Sequence, residues 1–229
     1  MYFDTDHFRP TWVSVLVDLN IRVFCHGWHL PELARLEGAH RLFDAGLVES
    51  FETDETIAPM HGVSAWAFRC QHDRQGTIAY RFALQDAGVS VGYATDLGHA
   101  PPGLIEHLAG VDVLCIESNY DEQMTIHSSR PSFVNRRNLS DSGHLSNDQA
   151  FEAVQRVAAR SPHGNPRRIL LLHRSSQCNH PTKVRRCFAH SPSVMRRVTL
   201  TEQRRRTRWI SLPALSAVRR SQLTLASSM

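Results

Sequence analysis

The feature that most constrains this chain is where its histidines and aspartates fall. Several of them close a short apolar run or sit in the loop just beyond it. His72 follows the run that ends at Cys70, and Asp96 follows Val89–Ala94 within Ala94-Thr95-Asp96-Leu97-Gly98. His173 closes Ile169-Leu170-Leu171-Leu172. Apolar runs of this length, bounded by turn residues, predict buried strands. A fold that places such strands side by side gathers polar side chains from distant parts of the sequence at one edge. Imidazole together with carboxylate suits Zn, Mn or Fe.

The rest of the pattern alternates strands with helices. Val63–Cys70, Thr77–Leu84 and Val89–Ala94 read as consecutive strands, with turns at Asp73–Gly76 and Gln85–Gly88. Val111–Ile116 and Arg168–Leu172 read as buried strands, and Ile21–Cys25 as a short one. Helices are predicted over residues 11–20, Pro31–Leu36, Pro101–Ala109 and Asn147–Arg160. The last is preceded by Ser146, three residues before Gln149, the spacing of a capping box. The class is therefore α/β or mixed α+β. The chain has 229 residues, 41% of them apolar, which suits one domain over residues 1–210; the pattern fades over 211–229, read as a poorly ordered tail.

Composition excludes some classes. No apolar run is long enough for a membrane span, and the first residues do not read as a secretory leader. The five cysteines form no Cys-x-x-Cys pair, and Cys25, Cys70 and Cys115 fall in or beside apolar runs. They read as core thiols of a protein in a reducing cytoplasm. The net charge of +4 is unevenly spread: residues 161–229 carry 14 Lys and Arg against the single acid Glu202, whereas 1–160 carry 12 basic and 21 acidic residues. A basic end of this kind attracts phosphates. It also reads as a solvated tail.

The segments around these positions resemble a known family. They are Gln71-His72-Asp73, Tyr93 to His99, Cys115 to Asp121, Leu139 to Asn147 and Leu171 to Asn179. In order and spacing they are similar to the metallo-β-lactamase superfamily, nearest to its WalJ-like branch, which includes exonucleases. The resemblance implies an αββα sandwich that holds two metals, Zn or Mn, between the edges of its sheets. It implies Asp96 as the carboxylate bridging both metals, His72 at the first, and Asp6, His7 and His173 at the second. His144 resembles a histidine that donates a proton to the leaving oxygen, and it also reads as a loop residue beside a helix start. The implied activity is metal-dependent phosphodiester hydrolysis, with DNA as the substrate of a nuclease and Asp96 and His144 in catalytic roles.

The chain departs from the family pattern at its start. Of the family's His-x-His-x-Asp-His loop only Asp6-His7 fit; Tyr2 stands at the first His and Asp4 at the second, where it offers a substitute carboxylate. The expectation is an N-terminally incomplete member whose first sheet lacks its opening strands, and whose retained metal sits at the second position. A small-ester, lactone or thioester hydrolase on the same scaffold, and an inactive remnant that binds nucleic acid, are the competing readings. His26 and His29 read as structural or surface residues, and His99 as lining the cleft. Glu117, Asn119 and Asp121 read either as groups that orient ligand histidines or as loop caps. The arginine clusters 136–137, 185–186 and 204–206 read as phosphate contacts or as a solvated face.

Overall fold

The computed structural model describes residues 8–53, 55–72, 76–203 and 205–210, the side chain of His163 excepted. The expected tail over 211–229 lies outside the described residues.

The chain begins with helix α1 (Trp12–Asp18), strand β1 (Val23–His26), helices α2 (Leu30–Arg35) and α3 (His40–Asp44), and strand β2 (Val48–Phe51). Strands β3 (Thr56–Met60), β4 (Val63–Cys70), β5 (Thr77–Leu84) and β6 (Val89–Ala94) follow as a meander. Helix α4 (Pro102–Leu108) then leads to β7 (Val113–Glu117). Helices α5 (Glu122–Ile126), α6 (Ser132–Asn138) and α7 (Asn147–Arg160) precede β8 (Arg168–Leu172), and α8 (Pro181–Phe188) and α9 (Pro192–Met195) precede β9 (Val198–Leu200).

Two sheets result. β1 and β2 pair in parallel, and the remaining strands form a seven-stranded sheet in the order β3-β4-β5-β6-β7-β8-β9. Pairing is antiparallel from β3 to β6 and parallel from β6 to β9. The change follows from the connections: tight turns join the meander, while helices carry the chain back over one face between the parallel strands.

Three apolar clusters define four layers. On one outer side, Val13, Leu16, Leu33 and Leu42 from α1–α3 pack on Val23 and Cys25 of β1. Between the sheets, Phe24 and Phe51 meet Ile57, Ala65, Ala67, Ile78 and Tyr80 of β3–β5. On the far side, Leu114, Ile116, Ile169 and Leu171 pack under Leu104, Leu108, Val154, Val157 and Phe188 of α4, α7 and α8. Successive strand residues point to opposite faces, so β1 feeds two cores at once and is buried along its whole length. The architecture is the αββα sandwich expected from the sequence, with two strands in the first sheet among the described residues. Among the described residues, the apolar side chains of that small sheet that face the large one meet β3–β5. Beyond it, Val91, Val113, Cys115 and Leu170 are half-buried and Tyr93 is 40% exposed.

Strands β4, β5 and β6, helix α7 and strand β8 occupy the residues their periodicity indicated. At the start of α7 the Ser146 hydroxyl accepts from Gln149 N at 3.1 Å while Ser146 N donates to the Gln149 side chain at 2.8 Å, closing the capping box. β2, β3 and β9 carried no clear alternation: β2 is mostly half-exposed, β3 is an edge strand that holds Pro59, and β9 is three residues long.

At the amino ends of the parallel strands a buried carboxylate ties three strands together. Asp112 accepts from Ser90 N at 2.8 Å and Ser90 Oγ at 3.0 Å, at the start of β6, and from Arg167 Nε at 3.2 Å, just before β8. Replacing Asp112 by Ala removes these bonds and leaves the mostly buried Arg167 without its counter-charge. Urea unfolding of Asp112→Ala is expected to show a loss of about 3–5 kcal/mol; a loss below about 1 kcal/mol contradicts this role.

Candidate metal centre

The carboxyl ends of the same strands converge on the other edge of the sheet. Asp96 lies just past β6, Glu117 ends β7, and His173 follows β8. His72 arrives from the end of β4 and His144 from the loop before α7. Asp96 and His173 both hold left-handed backbone, with φ of 57° and 50°. Neither is a glycine, so each conformation costs about 1–3 kcal/mol that the surrounding contacts must offset. Strain at two donor residues is a signature of a site shaped for something other than stability.

Loop packing brings His144 and His72 in. A Cβ on Gly143 would collide with the carbonyls of Arg137 and Asn138, and one on Gly98 with that of Asp141. Only glycine admits this closeness between the Asp96 loop, the end of α6 and the segment that carries His144.

Side-chain geometry follows from one buried group. Glu117 is fully buried, and its carboxylate accepts from Leu97 N at 2.7 Å, Leu145 N at 2.9 Å and Asp96 N at 3.2 Å. Its Oε2 also faces Nδ1 of His144 and Nδ1 of His173, each at 3.2 Å. Burial alone pushes the Glu117 carboxyl up. Hydrogen bonds from His144 and His173, with the charge on those rings, outweigh it and hold the group down at about 2. Glu117 is thus an acceptor, and the proton of each ring sits on Nδ1. Each Nε2 atom then carries a lone pair when its ring is neutral and a second proton when the ring is charged. Asn119 steadies His173 further, its amide donating to the His173 carbonyl at 2.8 Å.

His72 is fixed by a different acceptor. Its Nδ1 lies 2.8 Å from the Gly143 carbonyl oxygen, which can only accept, so Nε2 again carries the lone pair. The Nε2 atoms of His173 and His72 stand 3.5 and 3.9 Å from Asp96 Oδ1. His144 instead turns Nδ1 toward Asp96, at 3.8 Å. Donor atoms of Asp96, Glu117, His144 and His173 all lie within 4.8 Å of one another.

Of the residues singled out in the sequence, His72, Asp96, His144 and His173 are brought together. Asp4, Asp6 and His7 lie outside the described residues. Glu117 and Asn119 take the orienting position that was one of their two readings, whereas Asp121 caps α5 through Met124 N at 2.9 Å. His26, the last residue of β1, is buried with its Nδ1 accepting from Trp28 N, and His29 stacks on Trp28. His99 is partly exposed and its Nδ1 faces the Asp141 carbonyl at 3.3 Å.

The donor set suits a divalent cation. Two imidazole nitrogens with bound second protons and one buried carboxylate form a borderline-hard N/O site, and no thiol joins it among the described residues. A carboxylate behind His173 and a backbone carbonyl behind His72 are the kinds of partner that such ligands require. Glu117→Gln keeps the volume but removes the charge and puts an amide donor against N–H groups. Its affinity for Zn or Mn, read by competition with a chromophoric chelator, is expected to fall about 10–100-fold. An unchanged affinity would mean that Glu117 does not orient ligands.

Comparison with known proteins agrees with this geometry. Exodeoxyribonuclease WalJ of Streptococcus pneumoniae is 30% identical over 113 residues, 49% of this chain and 40% of that protein, so the match spans less than half the length of the relative. The metallo-beta-lactamase fold protein YhfI of Bacillus subtilis superposes with a TM-score of 0.57 at 13% identity, covering 84% of this chain and 69% of the other. Zn(2+)-bound PqqB of Methylobacterium extorquens gives 0.56 at 15%, covering 86% and 65%. At such identities these two likenesses speak for the fold alone. The family model of the beta-lactamase superfamily domain matches residues 4–173, and the chain belongs to that superfamily.

Proposed function

We propose that this chain is a metal-dependent phosphodiesterase that acts on DNA as an exonuclease. The observation that carries the reading is the pair of Nε2 lone pairs, on His72 and His173, aimed at one oxygen of the buried Asp96. Asp96 and His173 would hold the metal, with Asp6 and His7 of the starting segment completing the set and His72 facing the first position. Zn or Mn suits these donors. A cation held there lowers the pKa of a bound water and polarises a phosphoryl oxygen.

The protein's own groups supply the rest. Glu117 keeps the His173 and His72 sides of the cleft at fixed distance by anchoring the Asp96 loop and the His144 segment together. His144 is not turned as a ligand. With Nδ1 held by Glu117, its Nε2 is the atom that would pass a proton to a departing oxygen when the ring is charged. The basic excess of residues 161–229 and the likeness to an exodeoxyribonuclease favour a polyanionic substrate over a small neutral one. Cys25, Cys70, Cys115, Cys178 and Cys187 are free thiols, which suits a cytoplasmic enzyme, and no helix among the described residues is long and apolar enough to cross a membrane.

The test uses end-labelled DNA with chelated protein to which Mn or Zn is restored. Cleavage should depend on the metal, and Asp96→Ala and His173→Ala should each lower it at least about 1000-fold while losing bound metal. His144→Ala should lower kcat about 100-fold or more and keep the metal. Metal content unchanged in both the Asp96 and His173 variants sinks the assignment. Turnover of a small ester without cleavage of DNA would replace the nuclease reading with the esterase one, and salt-dependent DNA binding without cleavage would leave only a binding protein.

A further inference from the structure

A cavity of about 350 Å³ opens beside the donor cluster, with His144 and His173 as one wall and Arg130, Arg174, Ser175 and Asn138 among the residues of the others. None of its lining residues is acidic. The two arginines reach it from separate places: Arg130 from the link between α5 and α6, Arg174 from the residue after His173.

These groups have donors to spare. Arg130 is steadied by Nε donating to the Gln177 side chain at 2.8 Å, and neither arginine forms an ion pair among the described residues. Arg174 Nε is shielded from water and meets no hydrogen-bond acceptor among the described residues. Asn138 is 9% exposed and its side chain makes no hydrogen bond among the described residues. Ser175 Oγ accepts from Cys178 N at 3.0 Å, which leaves its proton free to donate. Buried donors without acceptors cost free energy, and a guanidinium without a carboxylate is matched in shape and charge by a tetrahedral oxyanion.

We infer that this cavity is a phosphate subsite, held by Arg130, Arg174, Asn138 and Ser175, for a substrate phosphate next to the one at the metal centre. The inference rests on the phosphodiesterase reading and narrows it to substrates with at least two neighbouring phosphates, as in a DNA strand. Two arginine forks on one phosphate and imidazoles at the next would set where the strand sits, so the subsite acts on binding and register rather than on bond cleavage.

Its test is a binding measurement that needs no turnover. Fluorescence anisotropy of a short labelled single strand of DNA, in EDTA, is compared for the wild type, Arg130→Gln, Arg174→Gln and Arg41→Gln. The last removes an equal charge from exposed α3. Each of the first two variants should weaken binding about tenfold and reduce the slope of log affinity against log salt by about one, with Arg41→Gln within twofold of the wild type. Arg130 is at the surface, so its variant remains informative even where Arg174→Gln fails to fold. A wild type that does not bind, or variants that all bind alike, would overturn the subsite. Loss confined to Arg130 and Arg174 in a protein that never cleaves DNA would uphold the subsite and refute the nuclease.

Discussion

The geometry of the candidate centre depends on one buried carboxylate. Glu117 ends a strand in the middle of the large sheet and accepts from three backbone amides and two imidazoles. An ionised group so far from water is tolerable only when its lone pairs are satisfied. Satisfying them fixes everything around it. The amides of Asp96 and Leu97 position the loop after β6, the amide of Leu145 positions the segment before α7, and the two rings are set in orientation and tautomer. Asp112 repeats the principle at the opposite ends of the same strands, where it joins Ser90 to Arg167. The parallel half of the sheet is thus pinned at both edges, and only one edge gathers imidazoles.

Much of this was legible in the sequence. Period-two alternation marks β4, β5 and β6, and an unbroken apolar run marks β8, because each of these strands is long enough to bury a regular face. The capping box marks the start of α7. His72, Asp96 and His173 stand out because polar residues at the ends of apolar runs are conspicuous. His144 does not share that placement; it sits in a loop, and only resemblance to a family separated it from the other histidines.

The rest depends on contacts that no local pattern encodes. β2, β3 and β9 are short or at an edge, so their side chains alternate over too few residues to register. Glu117 looks like any polar residue closing a strand until the loops that donate to it are in place. The left-handed backbone at Asp96 and His173 has no glycine to announce it. The pocket between Arg130 and Arg174 joins residues 44 positions apart through the fold of α6, and in the sequence those arginines are indistinguishable from solvated ones.

The proposed centre requires that Glu117 hold His173 and the Asp96 loop ready for a cation, with His144 turned aside. Anomalous diffraction at the metal edge from Zn-soaked crystals tests it most directly. A peak is expected about 2.0–2.2 Å from both the Asp96 carboxylate and His173 Nε2, with Glu117 beyond bonding distance and still facing Nδ1 of His144 and His173. A peak elsewhere, a thiolate in the coordination sphere, or Glu117 bound directly to the ion would contradict it.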